Sequence, residues 1–510
     1  MSNPFGARGH IGPGGGAWKL LPIPVEFRGT TVQVCGLWAF AAGSSRPTVG
    51  VPIGRDIESG ATVCCDPFGW FRAGIASSPS MLVLGLQGLG KSTFVIRQIL
   101  GLADQGVVPL VLGDMKAEYV AVVRMLGGQV MRLGENQRIN PLNPGAMGQA
   151  ADRIGGEAGE ILREQALQRA ATTTATLIQI ARRARLADWE SSLVSRGVRL
   201  LDATHRDQGL PGPILPDLLH LLTNPPQELL RATLAASAEE FRETVTPLLR
   251  SLQAILEGPL GMTFSGETTE RLDVDAPAVC VDVSAIRRHS SDVKAAIMMA
   301  TWSEGYATVE ASNALAEAGL GPQKHFLMVL DEMWEPLRIE GAGLVDQLDG
   351  LTRLNREDGV GNIFITHSLK DMESMASAAD ARKARGFAER SSIIVTAGLA
   401  REDLAALSEV KRLSEVEIKT VSGWTTPAGW KKRMLRDPAT GIERPAPPPG
   451  AGKILIKVGD RAGIQVQVQP TETELALHDT NSRWLTHTRE PEPAVPQSHT
   501  RRTDRRRADA

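Results

Sequence analysis

Apolar positions along the first half of the chain follow two alternating periods. Short continuous apolar runs occupy 81–84, 107–112 and 129–133, and apolar residues recur at helical spacing over 91–103 and 119–126. A short apolar run bounded by turn residues is typical of a strand buried on both faces, and the longer period is typical of an amphipathic helix. The alternation predicts an α/β fold with a mostly parallel sheet and helices on both faces.

The same alternation returns towards the C-terminus. Strands are predicted at 278–283, 326–330, 362–366, 392–396 and 454–458, and helices at 291–311 and 344–355. Residues 463–468 alternate between apolar and polar, and we expect them to pair with the strand at 454–458. Both halves of the chain are therefore predicted to contribute to one α/β core.

The strand pattern is absent between these halves. Apolar residues such as Leu229, Leu230 and Leu234 recur there at helical spacing, and glycines and prolines over 209–216 interrupt the helices. This pattern predicts an all-helical insertion.

The two ends of the chain differ from the core. Short strands predicted at 25–27, 31–34 and 61–65 indicate a small β-rich N-terminal module. The last residues are rich in proline and arginine and cannot bury enough apolar surface to fold, so a disordered tail is predicted. The predicted divisions are the N-terminal module at 1–76, the first part of the core at 77–150, the helical insertion at 151–270, the second part of the core at 271–485 and the Arg/Pro-rich tail at 486–510.

Composition narrows the classes of protein. Hydrophobic residues make up 42% and charged residues 22% of the 510 residues, which excludes wholesale disorder and fibrous folds. The formal net charge of −2 provides no overall electrostatic attraction of the chain to nucleic acid or acidic membranes. Four cysteines without zinc-site or disulfide spacing suit a reducing cytoplasm. No apolar run is long enough to span a membrane directly.

The strongest chemical signal is a glycine-rich segment at 85–93. It satisfies G-x-x-x-x-G-K-[ST], follows a predicted strand and opens a predicted helix, which is the context of a P-loop, or Walker A motif. The glycines let backbone N–H groups cradle phosphates, and the helix N-terminus adds positive potential. The residues predicted to hold the nucleotide are Gly85, Gln87, Gly88, Leu89, Gly90, Lys91, Ser92 and Thr93.

A second signal is the acid pair at the end of the predicted strand 326–330. Asp331 is expected to hold Mg²⁺ through water together with the Ser92 hydroxyl, and Glu332 to polarise the attacking water, as in a Walker B motif. An adjacent glutamate is typical of hydrolysing motors. Because the chain has no N-K-x-D segment to read guanine, ATP is favoured over GTP. The predicted cofactors are therefore ATP and Mg²⁺.

Four further residues are candidates for the site. His367 ends the strand that follows Asp331, where a polar residue senses the γ-phosphate in such ATPases; a structural histidine is the alternative. Arg353, Arg356 and Arg461 are candidates for a positive charge supplied to the site of a neighbouring subunit. Ordinary surface arginines are the alternative for all three.

Several segments together resemble a known family. Residues 111–119 read VLGDMKAEY, a glycine pair follows at 127–128, and 138–142 read RINPL. This series resembles the run D-P-K-x-E-Y, G-G and I-N-P-L of the conjugation and type IV secretion ATPases of the VirB/TraC class, and segments 258–264 and 279–284 are also similar to that family. The resemblance covers about 50–470.

The resemblance implies a RecA-like core in a homo-hexameric ring, with nucleotide between subunits, at the cytoplasmic face of a membrane channel. It implies other channel subunits as partners, and DNA as a further candidate partner. Three residues depart from the family pattern: Met115 replaces the usual proline, Ala117 stands where glycine is frequent, and His367 replaces the usual glutamine. Because only 84 residues precede the P-loop, we expect a motor core without the large N-terminal domain of full-length members.

Three functions remain open from the sequence. The first is an ATPase that energises conjugative DNA transfer or type IV secretion. The second is a duplex-DNA translocase of the FtsK/HerA type, which shares the core and the motif spacing. The third is a scaffold that uses nucleotide only to control assembly, and the intact Glu332 argues against it.

Overall fold

A computed structural model of the chain describes residues 46–134, 137–337, 339, 344–352, 358–370, 378–425, 434–436, 443–445 and 448–477. The strands predicted at 25–27 and 31–34 and the tail predicted at 486–510 lie outside the described residues. None of the helices in these described parts is both long and apolar enough to cross a membrane.

One large sheet organises the described chain. Its eleven strands, in chain order, are β1 (Pro52–Asp56), β2 (Thr62–Cys64), β3 (Ser80–Leu84), β4 (Val107–Asp114), β5 (Gln129–Arg132), β6 (Val279–Asp282), β7 (His325–Asp331), β8 (Val360–Thr366), β9 (Ile393–Thr396), β12 (Lys453–Val458) and β13 (Ile464–Val468). The spatial order is β2-β1-β13-β12-β9-β3-β8-β7-β4-β6-β5. Two short strands, β10 (Met434–Arg436) and β11 (Glu443–Pro445), pair separately.

The strands from β3 to β9 are parallel to their neighbours, as the apolar runs predict. Beyond β9 the sheet continues with antiparallel strands, because β12 pairs with β9 and then folds back onto β13. The expected pairing of 463–468 with 454–458 is confirmed by this hairpin, in which Ile456 lies opposite Ile464.

Helices cover both faces of the sheet. In chain order they are α1 (Pro67–Arg72), α2 (Lys91–Asp104), α3 (Val120–Met125), α4 (Gly145–Ile154), α5 (Gly156–Arg182), α6 (Asp188–Asp207), α7 (Leu215–Thr223), α8 (Gln227–Ala232), α9 (Ala238–Glu257), α10 (Gly261–Phe264), α11 (Ser291–Glu317), α12 (Trp334–Leu337), α13 (Leu344–Thr352), α14 (Ala378–Arg390), α15 (Arg401–Val410), α16 (Glu415–Gly423) and α17 (Glu472–Leu477), with a 3₁₀ turn at Ser284–Arg288.

Alternate residues of the central strands enter two different hydrophobic cores. Leu82 and Leu84 of β3 belong to the core that contains the helical region, whereas Met81 and Val83 belong to the core beneath α2 and α3. A strand that is buried on both faces carries apolar residues at every position. This explains why the sequence of β3 is continuously apolar, and the predicted α/β class with a mostly parallel sheet is confirmed.

The chain between β5 and β6 contains the seven helices α4 to α10, and its described residues include no strand. Helix α11 connects this region to the sheet, because it packs against β4 on one side and against α4 and α5 on the other. Its buried residues, such as Ala296, Trp302 and Val309, therefore lie on several sides of the helix.

Strand β1 was not among the predicted strands, because Pro52 and Gly54 are residue types that normally indicate turns. A β-bulge between these two residues accommodates them in the strand. At Gly54 a Cβ atom would lie 2.0 Å from the carbonyl oxygen of Gln467 in β13. The glycine permits this close approach, so β1 and β2 extend the main sheet.

The close approach at Gly54 predicts a stability defect. The Gly54→Ala variant is expected to lose about 1–3 kcal/mol of unfolding free energy, because β1 and β13 must separate to admit the methyl group. Gly423→Ala is the control, since a Cβ atom there meets nothing within 4 Å. Because Gly423 is the last residue of α16, alanine should leave the stability unchanged or raise it by up to about 1 kcal/mol. Urea unfolding measures both, and equal stability of the two variants would contradict the tight β1–β13 contact.

Candidate active site

The loop between β3 and α2 is attached to the carboxyl edge of the sheet at two points. The Leu86 N–H donates to the Gly398 carbonyl oxygen over 3.0 Å, and the Gly452 N–H donates to the Leu89 carbonyl oxygen over 3.0 Å. Gly85 has a φ of +152°, and a Cβ atom there would lie 2.6 Å from the Ala397 Cβ. The glycine loop is therefore fixed in place by backbone contacts from β9 and β12.

Helix α2 begins directly after this loop. Gly90 precedes it with a φ of +103°, which is the left-handed region that favours glycine. Ser92 and Thr93 in its first turn line a cleft of about 750 Å³, together with Gln87 and Gly88 of the loop. The cleft thus lies at a helix N-terminus, where backbone N–H groups and the helix dipole favour an anion.

Lys91 points back into the loop. Its Nζ donates to the carbonyl oxygens of Gly85 and, over 3.3 Å, of Leu86, and it lies 3.1 Å from His367 Nδ1. Burial lowers the pKa of Lys91 to about 8, although the charges of Glu332 and Asp331 act in the opposite direction. A phosphate in the cleft would supply the negative charge that favours the ammonium form.

The predicted acid pair lies at the end of β7. Burial and the neighbouring Glu332 charge raise the pKa of Asp331 to about 7. Glu332 has a φ of +51°, an unusual backbone conformation for a residue other than glycine, and its N–H donates to Asp331 Oδ1 over 2.9 Å. Such conformations persist where the surrounding structure holds them, and they are frequent at functional sites.

Three donors hold the Glu332 carboxylate. Lys116 Nζ and His367 Nε2 lie 2.7 Å and 2.9 Å from Oε1, and Trp334 Nε1 donates to Oε2 over 2.8 Å. Burial alone would raise the pKa of Glu332, but the hydrogen bonds from His367 and Lys116 and the Lys116 charge lower it to about 2. Glu332 is therefore a buried carboxylate that stays ionised.

His367 connects the P-loop to the acid pair. Because Lys91 can only donate and a carboxylate can only accept, a neutral imidazole with its proton on Nε2 satisfies both contacts. The histidine follows β8, which lies between β3 and β7 in the sheet. The structure thus brings Lys91, His367 and Glu332 together, and the γ-phosphate role of His367 stays a prediction.

The segment 114–119 contributes Lys116 and Glu118 to the cleft, although its sequence pointed only to the family resemblance. The Asp114 carboxylate, at the end of β4, accepts hydrogen bonds from the backbone N–H groups of Lys116, Glu118 and Tyr119. Ala117 adopts a φ of +55°, which explains why glycine suits this position. The turn directs Lys116 towards Glu332, and Glu118 also lines the cleft.

Tyr119 completes this turn. Its hydroxyl donates to Asp331 Oδ2 over 3.4 Å, so the segment after β4 contacts both acids of the pair. Burial lowers the pKa of the Lys116 ammonium, but the hydrogen bond and charge of Glu332 outweigh this and raise it. In the sequence, Lys116 could have been recognised only as a charged residue shortly after β4, the strand that lies next to β7 in the sheet.

The residues of the cleft fit a magnesium–nucleotide complex. The described residues contain no group of three or more His, Cys, Asp or Glu side chains placed to hold a metal by themselves. Mg²⁺ commonly takes only one or two protein ligands and completes its shell with phosphates and waters. Asp331 and Ser92 both line the cleft, and the buried Oε2 of Glu118 has no hydrogen-bond partner among the described residues.

Of the three arginine candidates, only Arg461 belongs to the described residues, and it does not lie at this cleft. Arg461 is exposed in the turn between β12 and β13, and the end of β12 lies beside the start of β9. This turn is therefore at the sheet edge opposite the P-loop. Arg353 and Arg356 lie outside the described residues. A role for any of the three in a neighbouring subunit stays a prediction.

The fold and the geometry of the site together define a class of protein. A glycine loop joins β3 to α2, the acid pair ends β7, and β8 lies between these two strands. This is the RecA-like arrangement of P-loop nucleotide-binding proteins, as the sequence resemblance implied.

Solved structures share this fold. VirB4 of Thermoanaerobacter pseudethanolicus is similar with a TM-score of 0.60 and 19% identity, over 85% of this chain and 100% of the VirB4 chain. The plasmid coupling protein TrwB, in complex with the non-hydrolysable ATP analogue ADPNP, matches with a TM-score of 0.46 and 13% identity, over 84% of this chain and 96% of TrwB. No protein-family model and no curated protein sequence matches the chain. The likeness to VirB4 confirms the predicted fold.

The position of Lys91 predicts loss of nucleotide binding on its removal. Lys91→Ala is expected to weaken ATP binding by at least about tenfold, because the described cleft loses the ammonium group closest to the loop. Isothermal titration calorimetry with Mg–ATP measures the affinity. Lys453→Ala, in β12 and outside the cleft lining, is the control and should bind as the wild type does. Unchanged affinity of Lys91→Ala would contradict the assignment of the P-loop.

Proposed function

We propose that the chain is an ATP-hydrolysing motor that energises conjugative DNA transfer or type IV secretion. The observation that carries this proposal is the ionised Glu332 carboxylate, joined to the P-loop Lys91 through His367. A protein that only binds nucleotide has no need of a buried carboxylate at this place. The fold similarity to VirB4 over the whole VirB4 chain supports the secretion setting.

The site can perform hydrolysis with its own side chains. Lys91 exchanges its contacts with the Gly85 and Leu86 carbonyls and with His367 Nδ1 for phosphate oxygens. The freed imidazole then turns, so that its Nε2–H leaves Glu332 and donates to the γ-phosphate. Glu332 then orients a water molecule and accepts its proton. Asp331 and Ser92 would hold Mg²⁺, which neutralises phosphate charge when it is bound.

The proposed setting is cytoplasmic, at the inner face of the cell membrane. We propose a homo-hexameric ring that works with the subunits of a secretion or conjugation channel, with DNA as a candidate partner. The alternative of an FtsK/HerA-type duplex-DNA translocase predicts ATP turnover that rises on addition of duplex DNA. The scaffold alternative predicts nucleotide binding with no turnover, so an ATPase assay separates it from both motors. Movement along duplex DNA separates the translocase from the secretion motor.

Glu332 is the first target for substitution. Glu332→Gln keeps the shape of the side chain but cannot accept the proton of water, so ATP should still bind while turnover falls by about 10²–10⁴-fold. Steady-state phosphate release and calorimetric ATP binding measure the two properties. Glu335→Gln is the matched control, because Glu335 pairs with Lys294 outside the cleft lining. Equal turnover in the two variants would show that Glu332 is not the base.

Lys116 is predicted to be a positioning residue for Glu332. Lys116→Met keeps the stem and removes the charge 2.7 Å from Oε1, so kcat should fall about tenfold or more while KM for ATP stays unchanged. Lys116→Arg should retain more of the activity, because it restores a donor and a charge. Lys324→Met removes an ion pair with Asp275 outside the cleft and serves as control. A rise in KM with constant kcat would instead place Lys116 in substrate binding.

A ring with shared sites predicts that activity depends on concentration. Dilution should lower turnover per protomer, because an arginine from a neighbour is lost on dissociation. Mixing Lys91→Ala protomers with protomers that lack the true arginine should restore part of the activity, and Arg353, Arg356 and Arg461 are tested in turn. Constant turnover on dilution, with no rescue in any mixture, would indicate a self-sufficient monomer.

A further inference from the structure

The cleft has a second wall that neither the P-loop nor the acid pair supplies. It is formed by Ala451 and Gly452 before β12, by Gln467 and Val468 at the end of β13, and by Pro470 and Leu475. We call this set the C-terminal wall. It lies more than 350 residues beyond the P-loop in the chain, and the proposed chemistry of hydrolysis does not use it.

Sheet order fixes the direction of the cleft. His367 follows β8 on one side of β3, whereas β9, β12 and β13 lie on the other side. Because Glu332 and His367 mark the end where the γ-phosphate reacts, the C-terminal wall lies at the opposite end. A nucleoside triphosphate that reacts beside Glu332 must therefore direct its sugar and base towards this wall.

The wall touches the P-loop itself. A Cβ atom at Gly90 would lie 3.2 Å from the Gly452 nitrogen, so the two backbones are in direct contact. Arg97 of α2 donates to the Gln469 carbonyl oxygen over 2.7 Å and forms an ion pair with Glu474 of α17. The wall is thus attached to the same helix that carries Lys91 and Ser92.

The chemistry of the wall differs from that of the phosphate end. None of its described side chains is charged. Such a surface suits a neutral heterocycle and offers no positive charge to a phosphate. Leu475 is 55% exposed although it is apolar, and Pro470 beside it offers a second apolar surface. Gln467 adds an amide that can both donate and accept, and its Nε2 makes only two long contacts, with the Ala451 and Val468 carbonyl oxygens.

We propose that the C-terminal wall is the nucleobase subsite of the cleft. Leu475 and Pro470 contact the face of the base, and the Gln467 amide meets its polar edge. This inference rests on the proposed function, because it takes a nucleoside triphosphate as the ligand. It predicts that the wall contributes to binding only when a base is present.

The test compares ATP with inorganic tripolyphosphate, both with Mg²⁺, on the full chain by calorimetry. Leu475→Ala is expected to weaken ATP binding about five- to twentyfold, because an apolar contact with the base is lost. Its affinity for tripolyphosphate should equal that of the wild type. Leu320→Ala is the control, since Leu320 is 44% exposed and lies outside the cleft lining. Gln467→Ala should show the same selective loss as Leu475→Ala.

The outcomes separate the two proposals. Selective loss of ATP affinity in Leu475→Ala and Gln467→Ala, with normal thermal unfolding, supports the subsite. Equal losses for ATP and tripolyphosphate, or no loss for either, would overturn it while the nucleotide site stands. If the wild-type protein binds tripolyphosphate and ATP with the same affinity, the base makes no contact and the subsite is wrong. Failure of the wild type to bind ATP at all would contradict the proposed function itself.

Discussion

Residue Glu332 is 6% exposed, and a buried anion is stable only where donors and positive charges surround it. Lys116, His367 and Trp334 meet this requirement with contacts of 2.7–2.9 Å. Removal of any one donor leaves the buried Glu332 charge with fewer partners. The contributions of the three donors therefore depend on one another through this carboxylate. This requirement also explains why the positive-φ conformation of Glu332 is tolerated, since it places the carboxylate between its donors.

The sheet supplies these donors because parallel strands end at one edge. His367 follows β8 and Glu332 follows β7, while Lys116 lies in the turn after β4, on the far side of β7 from β8. Asp114 fixes that turn by accepting three backbone N–H groups. The P-loop and the C-terminal wall lie further along the same edge. A single sheet edge therefore brings together segments from positions 85 to 475.

Local patterns were sufficient for the parallel strands β3 to β9 and for the glycine loop, because a buried strand and a glycine loop are encoded within a few adjacent residues. The contact between Lys116 and Glu332 spans 216 residues and depends on strand order, which no local pattern contains. Strand β1 was missed because proline and glycine normally indicate turns. Helix α14 was not predicted either, and the side chains it buries, Ala384, Phe387 and Ala388, give only a weak apolar period.

Nucleotide binding is proposed to change the partners of one cluster of side chains, formed by Lys91, His367 and Glu332. The most direct test is a crystal structure of the full chain with Mg²⁺ and a non-hydrolysable ATP analogue. We expect Lys91 Nζ on phosphate oxygens, His367 turned to the γ-phosphate and Glu332 within hydrogen-bond distance of a water beside it. An analogue bound elsewhere, or a Lys91 that keeps its contacts with the Gly85 carbonyl and His367 while the analogue is bound, would contradict this exchange of partners.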